Sequence, residues 1–179
     1  KSSQKFYLLK CECGFVYLNP RPSIMEISEY YHSEDYDPYN ESSNDILHVL
    51  YKNVQCIAHR WKYKIINTYI THGKLLDIGG GRGRFAEFMN RKGWDVTLQD
   101  PIVGSNKREN SVSCIKELSK INNSIKFDVI SLWHSLEHIH NIKNLFESIN
   151  NLLNDSGILV IAVPNLLAPE RKLYKHNWA

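Results

Sequence analysis

A glycine-rich turn is the strongest chemical signal in this sequence of 179 residues. Glycine occupies the alternate positions Gly79, Gly81 and Gly83, directly after an apolar run that contains Asp77. Glycine lets a backbone turn sharply and approach a ligand closely, and the N-terminus of a following helix favours a carboxylate or a phosphate. The turn is therefore predicted to hold a ligand. The alternative is a tight strand-to-helix turn that binds nothing.

Asp100 is the second candidate, because it ends the next apolar run and precedes Pro101. A carboxylate at the end of a strand can accept two hydrogen bonds from a ribose diol. Its alternative role is that of a surface acid at the start of a turn.

The glycine spacing discriminates between two kinds of nucleotide-binding protein. The dinucleotide pattern G-x-G-x-x-G needs its third glycine where this chain has Arg84. The spacing therefore weighs against a nicotinamide-dependent oxidoreductase.

Histidines follow a third apolar run, residues 127–132, and they suggest either proton transfer or metal binding. His134, His138 and His140 lie within seven residues, but a zinc site needs three or four ligands in tetrahedral array. His134 and His138 could share a helix face, whereas His140 would not. No metal is predicted here. Cys11 and Cys13 alone do not make a structural zinc site either.

The elements that must position these residues alternate between strand and helix. Apolar strands are predicted at 74–78, 94–99, 111–115, 127–132 and 158–163, and helices at 84–92 and after Asn141. Continuous apolar strands separated by amphipathic helices indicate an α/β fold with a doubly wound, mostly parallel sheet. Ligands of such sheets bind at the carboxyl ends of the strands, where the candidate residues lie.

The N-terminal third is organised differently. Two aromatic and apolar runs around Cys11 and Cys13 predict a hairpin, a capping box at Ser23 predicts a short helix over 24–31, and a tyrosine-rich loop follows. The tyrosines could cover a ligand or pack the segment onto the sheet. We expect a cap at 1–44 and a ligand-binding domain at 45–179. Its first helix presents an apolar stripe and ends at Gly73; the stripe comprises Ile46, Leu50, Val54, Ile57, Trp61, Ile65 and Tyr69.

Several motifs in this order resemble those of class I S-adenosylmethionine-dependent methyltransferases. The acid and glycines of 77–83 resemble the first motif of that family, Leu-Glu-His at 136–138 the motif after the fourth strand, and Pro164-Asn165 the end of the fifth. The resemblance implies S-adenosylmethionine as cofactor. Its glycine loop would pass the methionine end of the cofactor, Asp77 would help to bind the ammonium group and Asp100 the ribose. It also implies that Leu132, Trp133 and His134 line the pocket.

Two features depart from the family pattern. The region after the third strand offers no clear adenine ligand, with Lys116 and Glu117 as the only candidates, and 14 residues after Asn165 cannot supply the usual two further strands. Because the chain also starts at Lys1, we expect the natural protein to be longer at one or both ends. The Cys11 segment resembles one that precedes some of these domains, where an earlier cysteine pair completes a zinc knuckle.

Composition narrows the function further. Scattered lysines and arginines with a net charge of +3 do not indicate nucleic acid, and the longest apolar run, residues 158–163, is too short for a bilayer.

We expect a cytoplasmic enzyme that methylates a small acceptor, such as a sugar derivative or another hydroxylated metabolite. His138 or His134 would take the acceptor's proton, unless His138 only supports the loop. The alternative is a non-catalytic cofactor-binding module. The oligomeric state stays open.

Overall fold

A computed structural model describes residues 7–23, 46–101 and 112–169 of the chain. The chain divides into two compact units, Lys1–His48 and Val49–Ala179. The predicted helix at 24–31 and the whole of the tyrosine-rich loop lie outside the described residues. The predicted boundary between 44 and 45 stays a prediction.

The first unit contains the predicted hairpin. Strand β1 (Tyr7–Lys10) pairs antiparallel with β2 (Val16–Asn19). The turn between them is closed by two backbone hydrogen bonds, in which Cys11 donates to the Phe15 carbonyl at 2.8 Å and Gly14 donates to the Cys11 carbonyl at 2.9 Å. Gly14 has a φ of +90°, a conformation that glycine adopts without strain. The hairpin prediction is confirmed.

The second unit is built on a five-stranded sheet in the order β5-β4-β3-β6-β7, in which all pairs are parallel. Its strands are β3 (Lys74–Ile78), β4 (Asp95–Gln99), β5 (Ser113–Ile115), β6 (Phe127–Trp133) and β7 (Leu153–Ala162). Its helices are α1 (Ile46–Asn67), which begins before the unit boundary, α2 (Arg84–Arg91) and α3 (Ile142–Leu152). The predicted doubly wound α/β fold is confirmed, and the strand order reverses between β3 and β6.

The two faces of this sheet carry separate cores, because successive residues of a strand point to opposite faces. Leu75 packs with Ile66 of α1 and Phe85 of α2 on one face. Leu76 packs with Leu145 of α3 on the other. The exposed fraction of Ile66, Leu75, Leu76 and Leu145 is at most 5% in each case. Asn141 begins α3 as predicted, since its side chain accepts the N–H of Asn144 at 3.1 Å.

The predicted apolar stripe of α1 is on the wrong face of the helix. Ile57 and Trp61 are 65% and 58% exposed, and the face that contacts the sheet instead carries Ile66, which is fully buried. Tyr63 and Lys62 lie half-buried on that inner face. The helix carries apolar residues on both sides, so periodicity alone could not identify the side that packs against the sheet.

The fifth strand also starts earlier than predicted. Leu153 pairs with Phe127 and Ile158 with Val129, so residues 154–157 bulge opposite Asp128. The Asp128 carboxylate accepts hydrogen bonds from the Asn154 side chain at 2.6 Å and the Lys74 N–H at 2.8 Å. The predicted turn at 155–157 is therefore a bulge within β7 that Asp128 anchors. No helix in the described part of the chain is long and apolar enough to cross a membrane.

Two isoleucines on α1 test which face is packed. Ile66→Ala should lower the free energy of unfolding by about 2–5 kcal/mol, because it opens a cavity in the core. Ile57→Ala should change it by less than about 0.5 kcal/mol, since that side chain lies in solvent. Urea denaturation of the two variants measures this difference, and equal losses would contradict the assigned face.

Candidate functional site

The glycine turn connects the end of β3 to α2 and is fixed by backbone hydrogen bonds. The Gly79 N–H donates to the Gln99 carbonyl at 2.7 Å, which ties the turn to the end of β4. Gly81 has a φ of +56° and no atom within 4 Å of the position where a Cβ would lie. The turn therefore exposes backbone to an open space above the sheet, as a ligand-binding loop requires.

Gly80 is part of the turn for a different reason, which the spacing argument missed. A Cβ at Gly80 would collide with the Asp77 carboxylate and the Leu98 side chain. The underside of the turn thus packs directly on β3 and β4, and only glycine fits there. The run of three consecutive glycines, Gly79 to Gly81, is the sequence signal that could have indicated this close packing.

Asp77 lies beneath the glycine turn and is almost fully buried, with 2% exposure. Its carboxylate accepts a hydrogen bond from the Ser131 hydroxyl at 2.7 Å, which joins β3 to β6. Burial raises the pKa of Asp77 to about 6, although the Ser131 hydrogen bond and the Lys62 charge oppose that rise. The structure therefore places Asp77, the predicted ammonium ligand, below the loop.

Asp100 lies at the end of β4 and is 8% exposed. Its Oδ2 atom accepts the N–H of Gly81 at 2.8 Å, so the carboxylate holds the glycine turn as well as facing the site. The neighbouring Gln99 side chain donates to the Lys116 carbonyl at 2.7 Å and joins the ends of β4 and β5. The structure brings Asp100 and Gly81 together, as the sequence predicted, and shows a direct hydrogen bond between them.

The residues at the end of β6 alternate between the two faces of the sheet. Leu132 is fully buried in the core under α3, so only its backbone reaches the strand end. Trp133 points to the opposite face, where its ring meets Phe85 edge-on with 5.8 Å between centroids. His134 has a φ of +55°, and its side chain is 62% exposed. Of the three predicted pocket residues, Leu132 has its side chain in the core under α3, whereas Trp133 and His134 do not.

The loop after β6 is bound to the end of β3. The Ser135 hydroxyl donates to the Ile78 carbonyl at 2.8 Å, and a Cβ at Gly79 would collide with the Ser135 side chain. The His138 N–H donates to the Ser135 carbonyl at 3.1 Å. His134 and His138 thus flank a serine that contacts the glycine turn. Sequence reasoning missed Ser135 because its role depends on a strand 57 residues away.

Helix α1 adds charged and aromatic groups that no motif indicated. Lys62 lies over the rings of Phe85 and Trp133. His59 packs between Phe85 and Phe88, with ring centroids 5.9 and 5.8 Å apart. Burial lowers the pKa of His59 to about 4, and the nearby charge of Lys62 adds to this effect. His59 is therefore neutral at pH 7 and serves packing.

No group of three or more His, Cys, Asp or Glu side chains in the described ranges could hold a metal ion. The site instead consists of a glycine turn with carboxylates below and beside it. This turn lies where the order of a parallel sheet reverses, which is the ligand position of such sheets. The strand order and the glycine turn at its reversal define the fold of the class I methyltransferases.

Residues 52–179 match the model of the methyltransferase domain family. The chain belongs to that family, which confirms the family predicted from the motifs.

Individual relatives agree with this assignment. The chain is 30% identical over 110 residues to a ubiquinone biosynthesis O-methyltransferase of Glaesserella parasuis serovar 5, covering 53% of this chain and 47% of that protein. It thus spans about half the length of the curated relative that it matches.

Solved structures share the fold at low sequence identity. A 1,6-didemethyltoxoflavin-N1-methyltransferase from Burkholderia thailandensis superposes with a TM-score of 0.54 at 17% identity, covering 90% of this chain and 69% of that one. A plantazolicin methyltransferase has a TM-score of 0.57 at 16% identity, covering 84% and 65%. Both were solved with S-adenosylhomocysteine.

The raised pKa of Asp77 predicts a pH dependence of stability. The carboxyl has an ordinary pKa of 3.8 and one of about 6 in the folded protein, so folding favours its protonated form. Its contribution to stability is therefore largest below about pH 4 and is lost as the pH rises through 6. Asp77→Asn keeps an oxygen acceptor for Ser131 but cannot titrate. The free energy of unfolding of the wild type minus that of this variant should fall by on the order of 3 kcal/mol between pH 4 and 7.

Chemical denaturation of both proteins across that range measures the difference. His59 titrates over an overlapping range, but it is present in both proteins and cancels. A difference that does not change with pH would show that Asp77 ionises normally.

Proposed function

We propose that this chain is an S-adenosylmethionine-dependent methyltransferase that transfers a methyl group to a small-molecule acceptor. The contact between Gly81 and Asp100 carries the proposal. It holds an open glycine turn beside a carboxylate at the end of the neighbouring strand. A nucleoside with an amino-acid tail needs both features, since the ribose diol requires an acceptor and the tail requires close access to backbone.

The family resemblance proposes the residues that would hold the cofactor, and the geometry of the glycine turn supports them. Gly79, Gly81 and Gly83 would approach its methionine end through their backbone, and Asp100 would accept the ribose hydroxyls. Asp77 would attract the ammonium group from below the turn. Trp133 and His134 would line the pocket with side chains, and Leu132 with backbone alone. When bound, the cofactor supplies an electrophilic methyl group on a sulfonium.

The protein's own contribution to such a transfer is positioning and proton removal. Orientation of the acceptor and exclusion of water supply most of the rate. A hydroxyl acceptor also needs a proton acceptor. His134 and His138 are the candidates, because Ser135 between them is bonded to the end of β3 beside the glycine turn. The Nδ1 atom of His134 lies 4.0 Å from the Glu137 carboxylate.

We propose that the protein acts in the cytoplasm on a small molecule and that it binds neither nucleic acid nor a membrane. The four cysteines support a reducing compartment, because all of them are free thiols.

Binding of S-adenosylhomocysteine tests the cofactor. At 100 times its dissociation constant it should stabilise the protein by about 2.7 kcal/mol, whereas NAD and NADP should not shift the melting temperature. Asp100→Ala should weaken binding by roughly 1.5–3 kcal/mol, since a charged acceptor is lost. Asp100→Asn should weaken it less, because it keeps an oxygen for the Gly81 N–H.

Calorimetry on the folded variants gives the affinities. Failure of the wild type to bind would refute the proposed function. Equal affinity of all three proteins would refute only the role of Asp100.

Turnover tests the two histidines. The variant that removes the proton acceptor should lower turnover per bound cofactor by about 10²–10⁴-fold. For His138, which is not among the residues proposed to line the cofactor pocket, the affinity for S-adenosylhomocysteine should stay unchanged. His138→Ala tests one candidate. His134→Gly tests the other without loss of stability, because glycine accepts the positive φ of that position.

Release of S-adenosylhomocysteine from a panel of hydroxylated small molecules provides the assay. A His138 variant that loses stability and cofactor affinity together, with turnover per bound cofactor retained, would assign that residue to loop support.

A further inference from the structure

A cation lies against an aromatic wall beside the end of β6, and the cofactor contacts proposed above do not use it. The Lys62 ammonium is 4.8 Å from the centre of the Trp133 ring and 5.3 Å from that of Phe85. Lys62 is half-buried, so its charge has lost part of its hydration. Among the described residues it contacts ring faces and has no ion-pair partner. A partly desolvated cation of this kind favours an anionic ligand.

Trp133 is the part of the wall that is closed to solvent. Its indole N–H is buried and finds no hydrogen-bond acceptor in the part of the chain that the structure describes. Because a ligand oxygen cannot reach a buried N–H, Lys62 is the donor of this wall that a ligand can use.

Trp61 extends the wall toward solvent. Its ring lies 6.4 Å from that of Trp133 at 59°, and the residue is 58% exposed. An open indole face packs well against a planar ring. The methionine end of the proposed cofactor has no ring and would leave this face unused, whereas a planar acceptor would cover it.

We propose that Trp61, Lys62 and Trp133 form the subsite for a planar acceptor that carries an anionic oxygen, such as an aromatic carboxylate or a phenolate. The ring of the acceptor packs against Trp61, and its oxygen accepts from the Lys62 ammonium. This inference rests on the proposed function, since it names the class of acceptor for that reaction. Burial lowers the pKa of Lys62 and the Asp77 charge opposes this effect; a bound anion would oppose it as well.

Three small molecules separate charge from planarity. 3,4-Dihydroxybenzoate is planar and anionic, its amide is planar and neutral, and quinate is anionic but not planar. In titrations of protein saturated with S-adenosylhomocysteine, the benzoate should bind about 10-fold more tightly than either of the others.

The variants assign this preference to residues. Lys62→Met should remove the preference for the acid over the amide, with the affinity for S-adenosylhomocysteine unchanged within about twofold. Trp133→Phe keeps an aromatic ring without the buried N–H and should leave the preference for the acid unchanged. Trp61→Ala should weaken acid and amide alike. Lys64→Met removes an exposed lysine of the same helix and should change nothing.

Two results would overturn the proposal. One is equal affinity of the wild type for acid and amide, including no binding of either. The other is a Lys62→Met protein that loses affinity for S-adenosylhomocysteine but not for the benzoate, which would assign Lys62 to the cofactor. Lys62→Gln serves as a second variant if the methionine protein does not fold. If the wild type fails to bind S-adenosylhomocysteine, the proposed function fails, and the same titrations without it still test the subsite.

Discussion

The Asp77 carboxylate, buried between β3 and β6, accepts a hydrogen bond of 2.7 Å from Ser131. These are the two strands between which the order of the sheet reverses. A charge in this position is costly to bury, and its raised pKa is the consequence. Replacing either partner would leave a polar group unpaired in the core. The glycine turn above depends on the same carboxylate, because Gly80 packs directly on it.

From that point the site is held together by hydrogen bonds between the strand ends and the loops that follow them. Gly79 is bonded to Gln99, Gly81 to Asp100 and Ser135 to Ile78. Each bond joins segments that are distant in the sequence, so the turn, the end of β4 and the loop after β6 hold one another in place. Such mutual support lets a loop stay open toward a ligand without losing its shape.

Helix α1 gives the site its other wall. Its inner face anchors on the core through Ile66, while Lys62 and Trp61 stand beside Trp133 at the strand end. The helix combines packing with a cation and an open aromatic face. In the proposed function, this combination would hold a planar acceptor beside the cofactor.

The sequence by itself determined the elements and their order. Apolar strands, the Asn141 cap and the alternating glycines are local signals, because each depends on the conformational preferences of a few neighbouring residues. It also placed Gly81 and Asp100 correctly at neighbouring strand ends, since carboxyl ends of parallel strands share one edge. The packed face of α1, the burial of Leu132 and the bond of Ser135 to Ile78 were decided only by tertiary structure. A helix with apolar residues on both sides has no preferred face until a sheet covers one of them, and a hydrogen bond across 57 residues leaves no local pattern.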